Sequence, residues 1–134
     1  MRWLLLLAGI YNLAWGAAVI AFPVASYRWC GFPDSQASMP LWQCLGMIVG
    51  VYGIGYAIAA FDPVRHWPIV LVGLLGKVFG PIGMAHAIWN GTLPLSAGRT
   101  CLSNDLIWWI PFTAILAYAR RIERSANDTL SSAS

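Results

Sequence analysis

Charge is what this chain has least of. Asp, Glu, Lys and Arg make up 10% of its 134 residues, against about 25% in a soluble domain. So little charge cannot cover a water-facing surface, so lipid must solvate much of the chain. The motifs of soluble catalysis are missing too. There is no GxGxxG, no P-loop, no HExxH and no GxSxG. The three cysteines form no CxxC and show no zinc spacing. No cofactor motif and no metal site is evident. The net charge of +3, from 8 Lys+Arg against 5 Asp+Glu, is small. It reads as topology information, not as a nucleic-acid footprint. No internal repeat is visible.

Hydrophobic residues are what is plentiful: 59% of the chain, with mean hydropathy +0.66. They fall into four apolar stretches, residues 3–22, 41–61, 67–89 and 106–118. A spanning helix needs about 20 residues at about 1.5 Å each. The first three stretches meet this directly. The fourth meets it only with Ser103, Asn104 and Asp105 at an interface before it and Arg120-Arg121 after it. Hydrocarbon offers no partners to backbone N–H and C=O groups, so such segments are helices. The first stretch also fits a cleaved signal peptide, with Arg2 before it and Val24-Ala25-Ser26 after it. Its apolar run, however, exceeds the usual ~7–15 residues of such a core and contains Asn12.

Three short loops join the stretches. Residues 23–40 include Gly31-Phe32-Pro33-Asp34, residues 62–66 form a tight turn, and residues 90–103 include Gly91, Pro94 and Gly98. Short loops imply antiparallel neighbours. The expected fold is therefore all-α, an up-down bundle of four transmembrane helices over residues 1–124. A disordered, cytoplasmic tail is expected over 125–134. Arg2, Arg65, Arg120, Arg121 and Arg124 fall on one side, and Arg28 and Arg99 on the other. The positive-inside rule then places both termini in the cytoplasm. Trp3, Trp29, Trp42, Trp67 and Trp89 fall near helix ends, as an aromatic belt does.

Some residues are out of place in such a bundle. Lys77 lies near the middle of the third stretch, where a lysine costs about 2.5–3.5 kcal/mol. It either pairs structurally within the bundle, or binds an anionic or quinone-like ligand, or moves a proton. Pro81 lacks an N–H, and its ring crowds the carbonyl four residues back, that of Lys77. A bend or a broken turn of the helix at Gly80 and Pro81 is expected, freeing that carbonyl. Gly76-xxx-Gly80 and Gly46-xxx-Gly50 have the small-xxx-small spacing of close helix contacts. Asp105 is the best candidate partner of Lys77, and is equally read as a helix N-terminal cap. A lysine here leans toward the cytoplasmic side, so a water-bridged pair is as reasonable as a direct one. His86, Asn104 and Gln43 are candidates for one polar cluster with Asp105, although a histidine near an interface is commonly just solvated. Tyr11 and Asn12 lie at a depth to hydrogen-bond Lys77. Trp108 and Trp109 point about 100° apart and cannot share a face.

The cysteines fall on one side once topology is assigned. Cys30 and Cys101 lie in the two longer loops and Cys44 in the first turn of the second helix. The readings are a Cys30–Cys101 disulfide, three free buried thiols, or a thiol pair exchanging electrons with a partner or a quinone.

The phrases 11–16 (YNLAWG), 42–53 (WQCLGMIVGVYG), 62–68 (DPVRHWP), 76–81 (GKVFGP) and 104–112 (NDLIWWIPF) together resemble a family of small, uncharacterised bacterial inner-membrane proteins. The resemblance covers nearly the whole chain except the tail. The four-helix plan is also similar to the DoxX-like group, associated with membrane redox systems. The resemblance implies an inner-membrane location and an association with membrane redox systems. With the cysteines, the aromatic density and the Lys77–Pro81 region, it makes an accessory role in a membrane redox or stress-response system the first expectation, with quinone as a candidate ligand and a redox protein or a second copy as a candidate partner. Some family members carry the name alkyl hydroperoxide reductase. Peroxide reduction of that kind needs a PxxxTxxC-like site on a thioredoxin-like fold, and this chain has neither the motif nor strand-forming segments. The alternatives are a small oligomeric transporter or channel with an intramembrane Lys site, and a non-catalytic membrane scaffold.

Overall fold

The computed structural model describes residues 1–33 and 38–132. Asp34 lies outside them, as do residues 133 and 134. The described chain is helical, with no strands among the described residues. The long helices are α1 (Arg2–Ala21), α3 (Met39–Ala59), α4 (Trp67–Trp89) and α6 (Ile107–Ser132). Two short ones sit in the loops, α2 (Pro23–Trp29) and α5 (Arg99–Cys101). Three helices, α1, α3 and α4, are long and apolar enough to cross a membrane. The apolar part of α6 ends at Arg120, so α6 by itself does not reach that length.

Two loops expected as irregular chain contain helical turns. Phe22 is pushed out of the α region (φ −129°, ψ 61°) by the proline that follows it. That kink ends α1 and starts α2 with Pro23 in the first turn, where its missing N–H costs nothing. In the other loop, residues Leu95–Gly98 form a 3₁₀ turn leading into α5. The two loops meet, with the Ser96 hydroxyl donating to the Gly31 carbonyl at 2.9 Å. Gly31 has φ +83°, which a residue with a Cβ adopts only under strain. At the opposite end, the turn between α3 and α4 is fixed by the Arg65 N–H donating to Asp62 Oδ1 at 3.0 Å. There the Arg2 guanidinium lies 5.6 Å from the centre of the Phe61 ring. The start of α1 and the end of α3 therefore share one end of the bundle, the turn end, and α2 and α5 mark the other, the loop end.

Packing is uneven. Helix α1 makes its most extensive contact with α3, and α4 with α6. Glycines allow the first pair to approach closely: a Cβ on Gly9 would fall 2.9 Å from the Gly53 carbonyl oxygen. Gly46 likewise leaves no room, since its Cβ would meet Val19. Gly50, its partner in the small-xxx-small pair, brings its backbone against Gly16, whose Cβ would fall 3.0 Å from the Gly50 nitrogen, although a Cβ on Gly50 itself would point into open space. All four long helices contribute to one core toward the turn end, through Leu5 and Ala8, Tyr56, Val70, and Phe112 with Ile115. A second cluster at the loop end joins Val19, Cys30 and Trp42. Between the two clusters the helices leave a cavity.

The expected disordered tail is instead helical as far as Ser132. Residues 112–132 contain neither Gly nor Pro. The Ser125 and Thr129 hydroxyls donate to the Arg121 and Ser125 carbonyls, at 3.1 and 2.8 Å, so they sit within the helix rather than compete with it.

Candidate functional site

Helix α4 presents Gly73, Gly76, Lys77, Gly80 and Met84 along one stripe, at the i, i+3, i+4, i+7, i+11 spacing of a single helix face. That stripe forms one wall of a cavity of about 350 Å³. Helix α3 supplies the facing wall through Trp42, Leu45, Ile48 and Tyr52, and α1 adds Asn12 and Trp15. Asn104 and Asp105 close the side toward α6. The lining is mostly apolar, with a few convergent polar groups, which is the general character of a small-molecule site.

Lys77 is the chain's only lysine and is 5% exposed. Its Nζ donates to the backbone carbonyl of Asn104. The same ammonium lies 5.9 Å from the centre of the Trp108 ring, within cation–π range. It makes no ion pair within 4.0 Å with Asp105 among the described residues, although the two opposite charges attract through the site. Asp105 is also buried and accepts from the Asn104 amide at 3.2 Å. The turn that brings Asn104 and Asp105 inward is a wide π turn over Leu102–Leu106, a local irregularity that recurs at functional sites. The ammonium thus makes its direct contact with the main chain, with the Asp105 carboxylate nearby.

The helix break expected at Gly80 and Pro81 does not occur. Helix α4 runs unbroken from Trp67 to Trp89 with Pro81 inside it. Pro81 still leaves the Lys77 carbonyl without its usual N–H donor. The Trp109 indole fills the gap, its Nε1 donating to that carbonyl at 2.9 Å. Both ends of Lys77 are therefore held by the π turn and the start of α6: the ammonium by Asn104 and Trp108, the carbonyl by Trp109. Gly76 and Gly80, expected at a helix contact, line the cavity; a Cβ on Gly76 would meet nothing within 4 Å.

The other candidates scatter. Asn12 is 3% exposed and lines the cavity, but Lys77 turns to Asn104 rather than to it. Tyr11 packs against Trp108, with ring centres 5.8 Å apart. His86 is exposed and pairs with Asn90 at 2.9 Å, one turn further along, outside the cavity. Gln43 donates to the Ile20 carbonyl at 3.0 Å and tightens the α1–α3 contact. Among the described residues, two side-chain polar atoms remain buried without a hydrogen-bond partner, Asn104 Oδ1 and Trp108 Nε1. All three cysteines are free thiols. Cys30 is buried beside Val19 and Trp42, Cys44 is exposed, and Cys101 lines the cavity near Asp105. Burial pushes the Cys30 thiol up to about 11, with Arg99 opposing weakly.

Sequence reasoning missed the aromatic wall. Trp15, Trp42, Tyr52 and Tyr56 all line the cavity, yet Trp42 was read only as an interface anchor. The spacing of 45, 48, 49, 52 and 56 along α3 was the available signal.

No family model, curated protein or solved structure matches the chain. The class defined by fold and site is an all-helical chain, compatible with a membrane protein, holding a buried lysine at one end of an apolar cavity.

Proposed function

We propose that this is an accessory, non-catalytic membrane protein that holds a lipid-soluble ligand of the quinone class for a membrane redox or stress-response system. It crosses the bilayer four times, with both termini in the cytoplasm. The fourth crossing uses residues 100–118, of which the π turn and α5 form the first part. At about 1.5 Å per residue those nineteen positions reach about 28 Å, close to the ~30 Å of the hydrocarbon core. Arg2, Arg65, Arg120, Arg121 and Arg124 then share the cytoplasmic side.

One observation carries the ligand assignment: an apolar cavity of about 350 Å³ whose few polar lining groups include Lys77, Asn104, Asp105 and Asn12. A quinone ring fits the apolar walls, and its carbonyl oxygens are acceptors for the ammonium and the Asn12 amide. Aromatic walls suit a flat ring, which stacks offset or edge-on against them. The role proposed is binding and positioning.

The test uses the full chain in lipid nanodiscs and a benzoquinone carrying a decyl tail. Trp15 and Trp42 line the cavity, so bound quinone quenches their fluorescence. Saturable quenching is expected, and Lys77→Met should weaken it about tenfold or more, equivalent to about 1.4 kcal/mol. Quenching that is linear in quinone, or unaffected by Lys77→Met, would contradict the proposal.

A further inference from the structure

We infer that the ligand enters this cavity sideways from the bilayer, between α3 and α4, and is an amphiphile whose oxygen-bearing head fits inside while its aliphatic tail stays in lipid. The inference rests on the ligand-binding reading of the cavity and adds its route and the shape of its occupant.

Size sets the first limit. A cavity of about 350 Å³ is at the low end of the ~300–1,000 Å³ range of ligand sites. It has room for a ring-sized head and not for a long chain, so any tail has to leave through an opening. The walls show where the opening is. At the inner end, Lys77 and Asn12 are 5% and 3% exposed. At the outer edge, Leu45 and Ile48 on α3 are 50% and 53% exposed, and Gly76 and Gly80 on α4 are exposed as well. These edge residues line the cavity and face outward at once.

Depth decides what the opening faces. Gly76 and Gly80 stand nine and thirteen residues into α4, about 14 and 20 Å from its start at about 1.5 Å per residue. They bracket the middle of a hydrocarbon layer ~30 Å thick. An opening at that level meets acyl chains, not water. Helix α3 makes little contact with α4 compared with its contact with α1, so the two walls are not zipped together. The glycines keep the edge low: a Cβ on Gly76 would meet nothing within 4 Å, and one on Gly80 only Asp105 Oδ2 at 3.9 Å. The polar lining groups then have the chemistry to select the head. A buried ammonium and a buried amide favour an oxygen acceptor over a plain hydrocarbon, so ordinary acyl chains gain little by entering.

The experiment measures association by stopped flow, using quenching of Trp15 and Trp42 in nanodiscs and the decyl benzoquinone. Gly76→Leu places a side chain in the opening, and Leu45→Trp narrows it from α3. Gly83→Leu is the control: it adds the same bulk on α4 at a glycine that also has open space but does not line the cavity. Both opening variants should slow association about tenfold, with the control within about twofold of the parent. A longer isoprenoid tail on the same head should leave affinity, expressed per lipid, unchanged. If the parent binds and Lys77→Met weakens binding, but neither opening variant slows entry, sideways entry is wrong and the ligand site stands. Strong dependence on tail length would overturn the tail-in-lipid geometry. If the parent shows no saturable binding, both the site and its route fall together.

Discussion

Two residues show what burial does to reactive groups in this chain. That Lys77 is buried was legible from its position in an apolar run, because few lysines occur there without cause. Its partner was not legible. Sequence points to charged or amide side chains such as Asp105 and Asn12, whereas the ammonium takes a main-chain oxygen, that of Asn104. A backbone carbonyl carries no residue signature, and only the π turn over Leu102–Leu106 turns it inward. Cys30 gives the complementary case. It is 1% exposed, and burial pushes its thiol up to about 11 from 9.0. The thiolate is the reactive form, and the folded state disfavours it. Alkylation of Cys30 in the folded protein should therefore be negligible at neutral pH and rise only as pH climbs from about 9 toward 11. In sodium dodecyl sulfate it should be rapid near pH 8. Mass spectrometry after maleimide or iodoacetamide treatment reads this directly; fast labelling of native Cys30 at pH 7 would contradict the burial.

Among the elements, α4 shows most clearly where reading a sequence succeeds and stops. Pro81 predicts a carbonyl without a donor at Lys77, and that carbonyl is indeed left to a donor outside its own helix. The expected break follows only if nothing else satisfies the group. The Trp109 indole does so from α6 at 2.9 Å, and the helix stays whole. Which of two adjacent tryptophans turns inward depends on helix phase, and phase is set by packing against α1 and α4. This joint makes a coupled prediction. Trp109→Phe should destabilise the folded protein by about 0.6–2 kcal/mol, the range for interhelical hydrogen bonds in membranes. In a Pro81→Ala background, where the amide N–H of residue 81 serves the Lys77 carbonyl, the same change should cost much less. A double-mutant cycle on thermal or denaturant unfolding in detergent measures the coupling. Equal costs in both backgrounds would show that the indole contact does not act through that carbonyl. The small-residue motifs teach a similar lesson: Gly46 and Gly50 both pack against α1 at Gly16, while Gly76 and Gly80 line the cavity. Spacing alone does not say which glycines meet a helix and which border empty space.

At the scale of the whole molecule, three long apolar helices and their antiparallel order were legible from hydropathy and loop length. The short helix α2, the turns before α6 and the continuation of α6 to Ser132 were not. Proline and glycine mark those loops as interruptions, yet the same residues start helical turns there. The proposed fourth crossing fixes a sidedness. Reporters fused after residue 1 and after residue 134 should both report the cytoplasm, whereas a chain that crosses three times would place the second on the other side. The cavity between the two packing clusters is a property of the assembled bundle, and the central claim is that it holds the head of a lipid-soluble ligand against Lys77. The most direct measurement is photolabelling of the full chain in nanodiscs, using a quinone probe with its photoreactive group on the ring, followed by peptide mapping. Labelling is expected to concentrate on the facing stretches of α3 and α4 around Ile48 and Lys77, and to disappear with excess unlabelled quinone. Labelling spread over outward residues such as Leu7, Val51 and Ile110, without competition, would contradict the account.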